Sequence, residues 1–266
     1  MAKLFKNKII KTKLDTFLID NFEKKLEIIQ KWHQNYHNWT LRTDNEISIA
    51  PGWTKDFLGE ILDYMGKPDE NYTYEVEPNI AGQRPDFILG HFSTSKWHII
   101  GELKWAKISL DAPQKWHGSI TPVQQAFKYK GNLRDSSFVI VSNFFETRLY
   151  YDNYLDYEMW TLDTLVNPKD DYFELRKFLY LLSEQNLIAK RWESTTKWLI
   201  SFIQNRQKEI TKNFYTEYSL LRKELFKDII SQAKKNGKPF RQQSNGGFWD
   251  FTNDSKKAAI SPNCSR

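Results

Sequence analysis

The spacing of apolar residues changes twice along this chain, and no other feature constrains its fold as much. Over 14–40 the spacing is three to four, through Leu14, Phe17, Leu18, Phe22, Leu26, Ile29 and Trp32, which predicts a helix. Residues 45–52 (NEISIAPG) read as a break. A second helix follows over 53–64, through Phe57, Leu58, Ile61 and Leu62, with Gly66 as its stop. After Pro68 the period drops to two. Tyr72, Tyr74, Val76 and Pro78 alternate with Thr73, Glu75 and Glu77, and strands are expected at 86–89 and 97–105. TPVQQAFKYKG (121–131) has the form of a helix, with Thr121 as N-cap, Pro122 in the first turn and Gly131 as stop. FVIVS (138–142) and TRLYY (147–151) read as strands, and beyond Thr161 helical spacing returns until about residue 230. This order predicts a mixed α/β core followed by a helical extension.

Composition narrows the class. Of 266 residues, 40% are hydrophobic and 27% charged, a balance that supports a packed core. No apolar run approaches the roughly 20 residues of a membrane-crossing helix, so no membrane partner is expected. The single cysteine, Cys264, rules out an internal disulfide framework and a polythiolate zinc site. A soluble protein of a reducing compartment, the cytoplasm, is the expectation. The net charge of +6 invites a nucleic-acid reading. However, residues 231–266 hold seven Lys/Arg against two acids, and residues 1–13 hold five lysines and no acid. The basicity therefore belongs to the two ends, the last of them expected to be a flexible tail, and charge alone establishes no DNA binding.

The chemistry is carried by fewer residues. Asp86 opens one expected strand, and Glu102 and Lys104 lie on one face of the next, about 7 Å apart along it. A hairpin would bring Asp86 and Glu102 to the same end of the sheet. Two hard oxygen ligands beside an ammonium are what Mg²⁺-assisted phosphodiester hydrolysis requires. A Glu-x-Lys pair is often a solvated face. Here Ile99, Ile100 and Leu103 make the strand largely apolar, and a buried carboxylate needs a partner.

The ordered segments RPDFILG (84–90), GELKWAKISLD (101–111), TPVQQAFKYKGN (121–132) and FVIVSNFFETRLYY (138–151) resemble the PD-(D/E)XK nuclease domain. The nearer resemblance is to the N-terminal nuclease module of type IIG enzymes, which fuse a restriction endonuclease to an adenine methyltransferase; it spans roughly residues 45–230. The resemblance implies a restriction-endonuclease-like core over 1–165, a helical connector over 166–230 and the tail over 231–266. It further implies a Mg²⁺-dependent endodeoxyribonuclease of a restriction–modification system, leaving 5′-phosphates and accepting Mn²⁺. Asp86 and Glu102 would be metal ligands, with the Leu103 carbonyl beside them, and Lys104 the catalytic lysine. Gln125 and Tyr129 match the family's Gln-x-x-x-Tyr helix, Gln125 being the catalytic candidate and Tyr129 equally a packing residue. A further acid comes from the first helices of such nucleases; Glu46 ranks first, ahead of Glu60 and Glu77.

The implied partner is double-stranded DNA, held chiefly through phosphates and therefore salt-sensitively, with transient pairing of two domains for double-strand cleavage. No Gly-rich cofactor loop, Asn-Pro-Pro-aromatic motif or phosphate loop occurs, so no S-adenosylmethionine or ATP site is expected. A different class of function is a catalytically silent module that docks a separate methyltransferase or specificity subunit through its helical extension. His33 and His37 have the i, i+4 spacing of a metal pair, but no third ligand is evident and exposed helix histidines are the expectation. Of the ten tryptophans, Trp105 alone, beside Lys104, is a candidate for contact with DNA.

Overall fold

A computed structural model of the chain describes residues 3–237, apart from 39, 44, 93–95, 116–117, 134–135 and 189–192. The expected tail lies outside the described residues from 238 onward, and its first residues, 231–235, end a helix.

The N-terminal part is helical. The helix expected over 14–40 starts later, as α2 (Phe22–His37), and a separate α1 (Asn7–Leu14) precedes it. Asn21 precedes α2 with φ at 53°, a left-handed conformation that Asn tolerates better than most residues. After the one-turn α3 (Thr40–Thr43), the expected break at 45–52 is instead α4 (Glu46–Trp53). The Asn45 side chain accepts a hydrogen bond from the Ser48 amide at 2.9 Å, a cap worth about 1 kcal/mol. Burial of Ile49 and Trp53 then outweighs the Pro51-Gly52 pair that suggested a break. The helix widens into a π-helix, Thr54–Ile61, which buries Thr54, Phe57, Leu58 and Ile61.

Six strands form one mixed sheet in sequence order: β1 (Tyr74–Val76), β2 (Phe87–His91), β3 (Lys96–Leu103), β4 (Phe138–Ser142), β5 (Glu146–Tyr151) and β6 (Asn153–Thr161). All neighbours are antiparallel except β3 and β4. A parallel pair needs a crossover, and this one contains α5 (Pro122–Lys130), capped as expected by Thr121. Among the six strands, β6 is the one that periodicity missed. It buries Glu158 and Trp160 while exposing Leu155 and Met159, so its polarity runs against the usual apolar-inward pattern.

Helices cover both faces. On one face Phe87, Leu89, Ile99, Leu103, Phe138, Ile140 and Leu149 pack against residues of α1, α2, α4 and the π-helix, and against Phe178 and Leu182 of α7 (Lys169–Leu182). On the other, Val139, Val141 and Tyr150 pack beneath Val123 and Ala126 of α5. The one-turn α6 (Leu162–Leu165) precedes α7, and α8 (Glu184–Leu187) precedes the long α9 (Thr195–Lys235). The sheet, all helices through α8 and the start of α9, with Leu199, Ile200 and Ile203 in the core, form a first unit, Met1–Ile203. The first unit reaches 203 because α7 and the start of α9 supply residues to the sheet's core. The second unit begins at Gln204; in its part of α9, Phe214, Tyr218, Leu221 and Leu225 are exposed. Among the described residues, no helix is long and apolar enough to cross a membrane.

Candidate active site

The register of β2 with β3 pairs Ile88 with Ile100 and Phe87 with Gly101. One further step along the same register puts Asp86 across from Glu102. The Leu103 amide fastens this end by donating to Asp86 Oδ2 at 2.6 Å. Gly101 is required here, since a Cβ at that position would come within 2.0–2.2 Å of the Phe87 ring. Alternation puts Asp86, Glu102 and Lys104 on the α5 face with Ile88 and Ile100, while Phe87 and Leu103 enter the opposite core.

Glu102 is only 1% exposed. Its Oε1 accepts a hydrogen bond from Lys104 Nζ, and its Oε2, equally buried, has no partner. Burial first, then the charge of Asp86, pushes the Glu102 carboxyl up to about 8, against the pull of Lys104. Burial likewise raises Asp86 to about 6, opposed by the Leu103 amide and Lys104 and assisted by Glu46 and Glu77. Burial alone would lower Lys104, but the charge and hydrogen bond of Glu102, with Asp86 and Glu46, outweigh it and leave its pKa raised. The two carboxyls therefore share a proton near neutral pH while Lys104 stays cationic.

Glu46 begins α4, held in place by the Asn45 cap, and its Oε2 accepts from the Trp105 amide at 2.8 Å. It stands at the junction of two hollows. One is acidic and includes Glu46, Glu77, Asp86 and Leu103. The other is basic and includes Glu46, Lys104, Trp105, Lys107 and Lys115. The ligand oxygens of Glu46, Asp86 and Glu102 do not all lie within 4.8 Å of one another, so Glu46 borders the pair of carboxyls without closing a three-carboxylate cage. Glu77 faces the acidic hollow, whereas Glu60 lies elsewhere, bonded to Lys24 at 2.7 Å on the surface.

From α5, Gln125 Nε2 donates to the Tyr129 hydroxyl at 2.8 Å, while the buried Gln125 Oε1 has no partner. Tyr129 has its pKa raised, chiefly by burial, and the charges of Glu102, Lys104 and Asp86 all reach its hydroxyl. The helix thus points its polar pair at the acidic end of the sheet. Trp105 lies under a cation–π contact from Lys107, 4.5 Å from its ring centroid.

A supporting clamp was not legible in the sequence. Arg148 on β5 is buried and grips Asp111 with two bonds, 2.7 and 2.8 Å, while also bonding Glu146. It ties down the loop after β3 that carries Trp105 and Lys107. A guanidinium bonded in this bidentate way is the strong, orienting kind of ion pair.

The donor set fits a hard divalent cation: two carboxyls at one sheet end, one with a buried oxygen lacking any partner, and Leu103 lining the same hollow as Asp86. No family model, curated protein or solved structure matches the chain.

Proposed function

We propose that this protein is a Mg²⁺-dependent endodeoxyribonuclease with a PD-(D/E)XK core, the cleavage module of a restriction–modification system. The observation that carries the reading is the orphaned Glu102 Oε2, buried opposite Asp86 with Lys104 on the other oxygen. Such a group is expensive to bury unless something positively charged completes it. Asp86 and Glu102, with the Leu103 carbonyl, would hold the cation, and Mn²⁺ would serve as well. When bound, it supplies Lewis-acid polarisation of a phosphoryl oxygen.

The chain's own residues do the rest. Lys104 is cationic at neutral pH, so it stabilises charge developing on the phosphate and orients a water as a donor; it is not the base. Glu102 must shed its proton to become a full ligand, so cation affinity and activity rise with pH through about 8. Lys107 and Lys115 on the basic hollow contact the DNA backbone through phosphates, a term that weakens steeply with salt. Gln125 presents its free carbonyl oxygen toward the same end of the sheet.

The test is nicking of supercoiled plasmid with Mg²⁺ or Mn²⁺, comparing wild type with Asp86→Ala and Lys104→Ala. Both variants should lose activity by about 10²–10³-fold, the size of effect seen when one charge-stabilising group is removed. Equal nicking by all three proteins would remove the assignment. A second reading, a silent module that docks a separate methyltransferase or specificity subunit, draws on the exposed Phe214, Tyr218, Leu221 and Leu225 of α9. No cleavage under any condition, together with tight binding of such a subunit, would favour it.

A further inference from the structure

A second polar cluster lies apart from the carboxyl pair. His33 and His37, one turn apart on α2, both direct Nε2 at the same oxygen of Asp163 on α6, at 2.9 and 2.8 Å. The ligand atoms of all three lie within 4.8 Å of one another, and among the described residues no other group of three His, Cys, Asp or Glu side chains meets that condition. The expected exposed histidines thus acquire the third ligand that their spacing lacked, from a residue 126 positions further on.

We propose that His33, His37 and Asp163 bind one borderline transition-metal ion, Zn²⁺ in the cell, pinning α2 to the turn that follows β6. Two imidazole nitrogens and a carboxylate oxygen form a donor set for Zn²⁺, Ni²⁺ or Cu²⁺, whereas Mg²⁺ selects all-oxygen sites. A tetrahedral ion with bonds of about 2.0–2.2 Å holds its ligand atoms roughly 3.3–3.6 Å apart. The two observed separations from the imidazole nitrogens to Asp163 Oδ1, 2.9 and 2.8 Å, are about half an ångström shorter, so each imidazole has only to draw back slightly from the carboxylate. Exposure permits that movement, the side chains of His33, His37 and Asp163 being 28%, 52% and 52% exposed. Preorganisation comes from Tyr36, which stacks on Phe145 at 4.2 Å and meets the His37 ring edge-on at 5.4 Å. Without an ion, an exposed trio of this kind contributes at most about 1 kcal/mol. Ligation turns it into a cross-link between segments far apart in sequence. The inference does not depend on the nuclease reading.

The experiment titrates Zn²⁺ calorimetrically into the full chain carrying Asp86→Ala, in excess Mg²⁺, so that the carboxyl pair competes as little as possible. His37→Ala and Asp163→Ala are added separately to that background, with circular dichroism confirming that each folds. The expected result is one Zn²⁺ per chain, with affinity falling about tenfold or more in each variant. Zn²⁺ should also raise the melting temperature of the parent but not of the variants, and Co²⁺ should give the visible absorption of a tetrahedral site in the parent only. Absence of stoichiometric binding, or equal affinity in parent and variants, would overturn the proposal. Binding that depends on His37 but not on Asp163 would do the same, since histidines alone would then account for capture.

Discussion

Among the described residues, two glutamate–lysine pairs are buried, and they differ in what surrounds them. Glu158 on β6 meets Lys177 on α7, both almost wholly inaccessible. Every polar atom there is answered: Glu158 Oε2 accepts from the Phe5 amide, and Lys177 also bonds Asn7 Oδ1 at 3.2 Å. Glu102 and Lys104 make the same primary contact, yet Glu102 keeps an unanswered oxygen and faces a second carboxyl, Asp86. The first pair closes a core. The second sets two carboxyls against one ammonium and leaves a buried carboxyl oxygen unanswered at the edge of an acidic hollow, which is the condition that invites a cation.

The contrast can be broken or sharpened by substitution. The largest effect on stability is expected from Glu158→Gln, which leaves the buried Lys177 charge only the more distant, partly exposed carboxylate of Glu174 at 3.7 Å. Breaking a buried pair in this way costs about 3–5 kcal/mol, readable as a lowered denaturant midpoint. A change under 1 kcal/mol would show that Glu158 and Lys177 are not a satisfied core pair.

Glu102→Gln should do the opposite in metal-free buffer. The folded-state pKa of Glu102 is raised from 4.5 to about 8, so the folded protein retains a proton that the unfolded chain has already released. The stability that this contributes is full below about pH 4.5 and is lost as pH rises toward 8. The glutamine variant keeps a neutral group throughout. It should therefore match wild type at pH 4.5 and exceed it by about 1–3 kcal/mol at pH 8.5, while losing cation binding. Denaturation curves that run parallel for the two proteins across that range would refute the raised carboxyl.

The smallest effect is expected from Glu60→Gln. This acid, an alternative to Glu46 by position, is spent on an exposed pair with Lys24. Its loss should change stability by less than about 1 kcal/mol and leave plasmid nicking unaltered. A large fall in cleavage would bring Glu60 into the site after all.

How much of this was legible beforehand depended on whether the forces were local. The β2–β3 hairpin and the α5 helix follow from period, turn residues and the Thr121 N-cap, so Asp86, Glu102 and Lys104 could be grouped before any coordinates, and Gln125 joined them only through the family resemblance. Residues 45–52 were misread because Pro and Gly are strong local breakers, whereas the buried Trp53 and Ile49 that override them act through tertiary packing. Strand β6 escaped notice because its buried position 158 is a glutamate, whose partner Lys177 lies on another element.

Taken alone, the sequence determined the order of strands and helices, a capped helix over 121–131 and an acid–acid–amine trio on a hairpin, because each rests on local spacing and turn residues. Only the tertiary structure decided that Glu46 comes up beside Trp105 while Glu60 does not. It also decided that Arg148 ties down the loop after β3, and that Asp163 closes on His33 and His37. Those juxtapositions bring together segments separated by dozens of residues or more. Their geometry is set by how the helices pack on the two faces of the sheet, which no local spacing encodes.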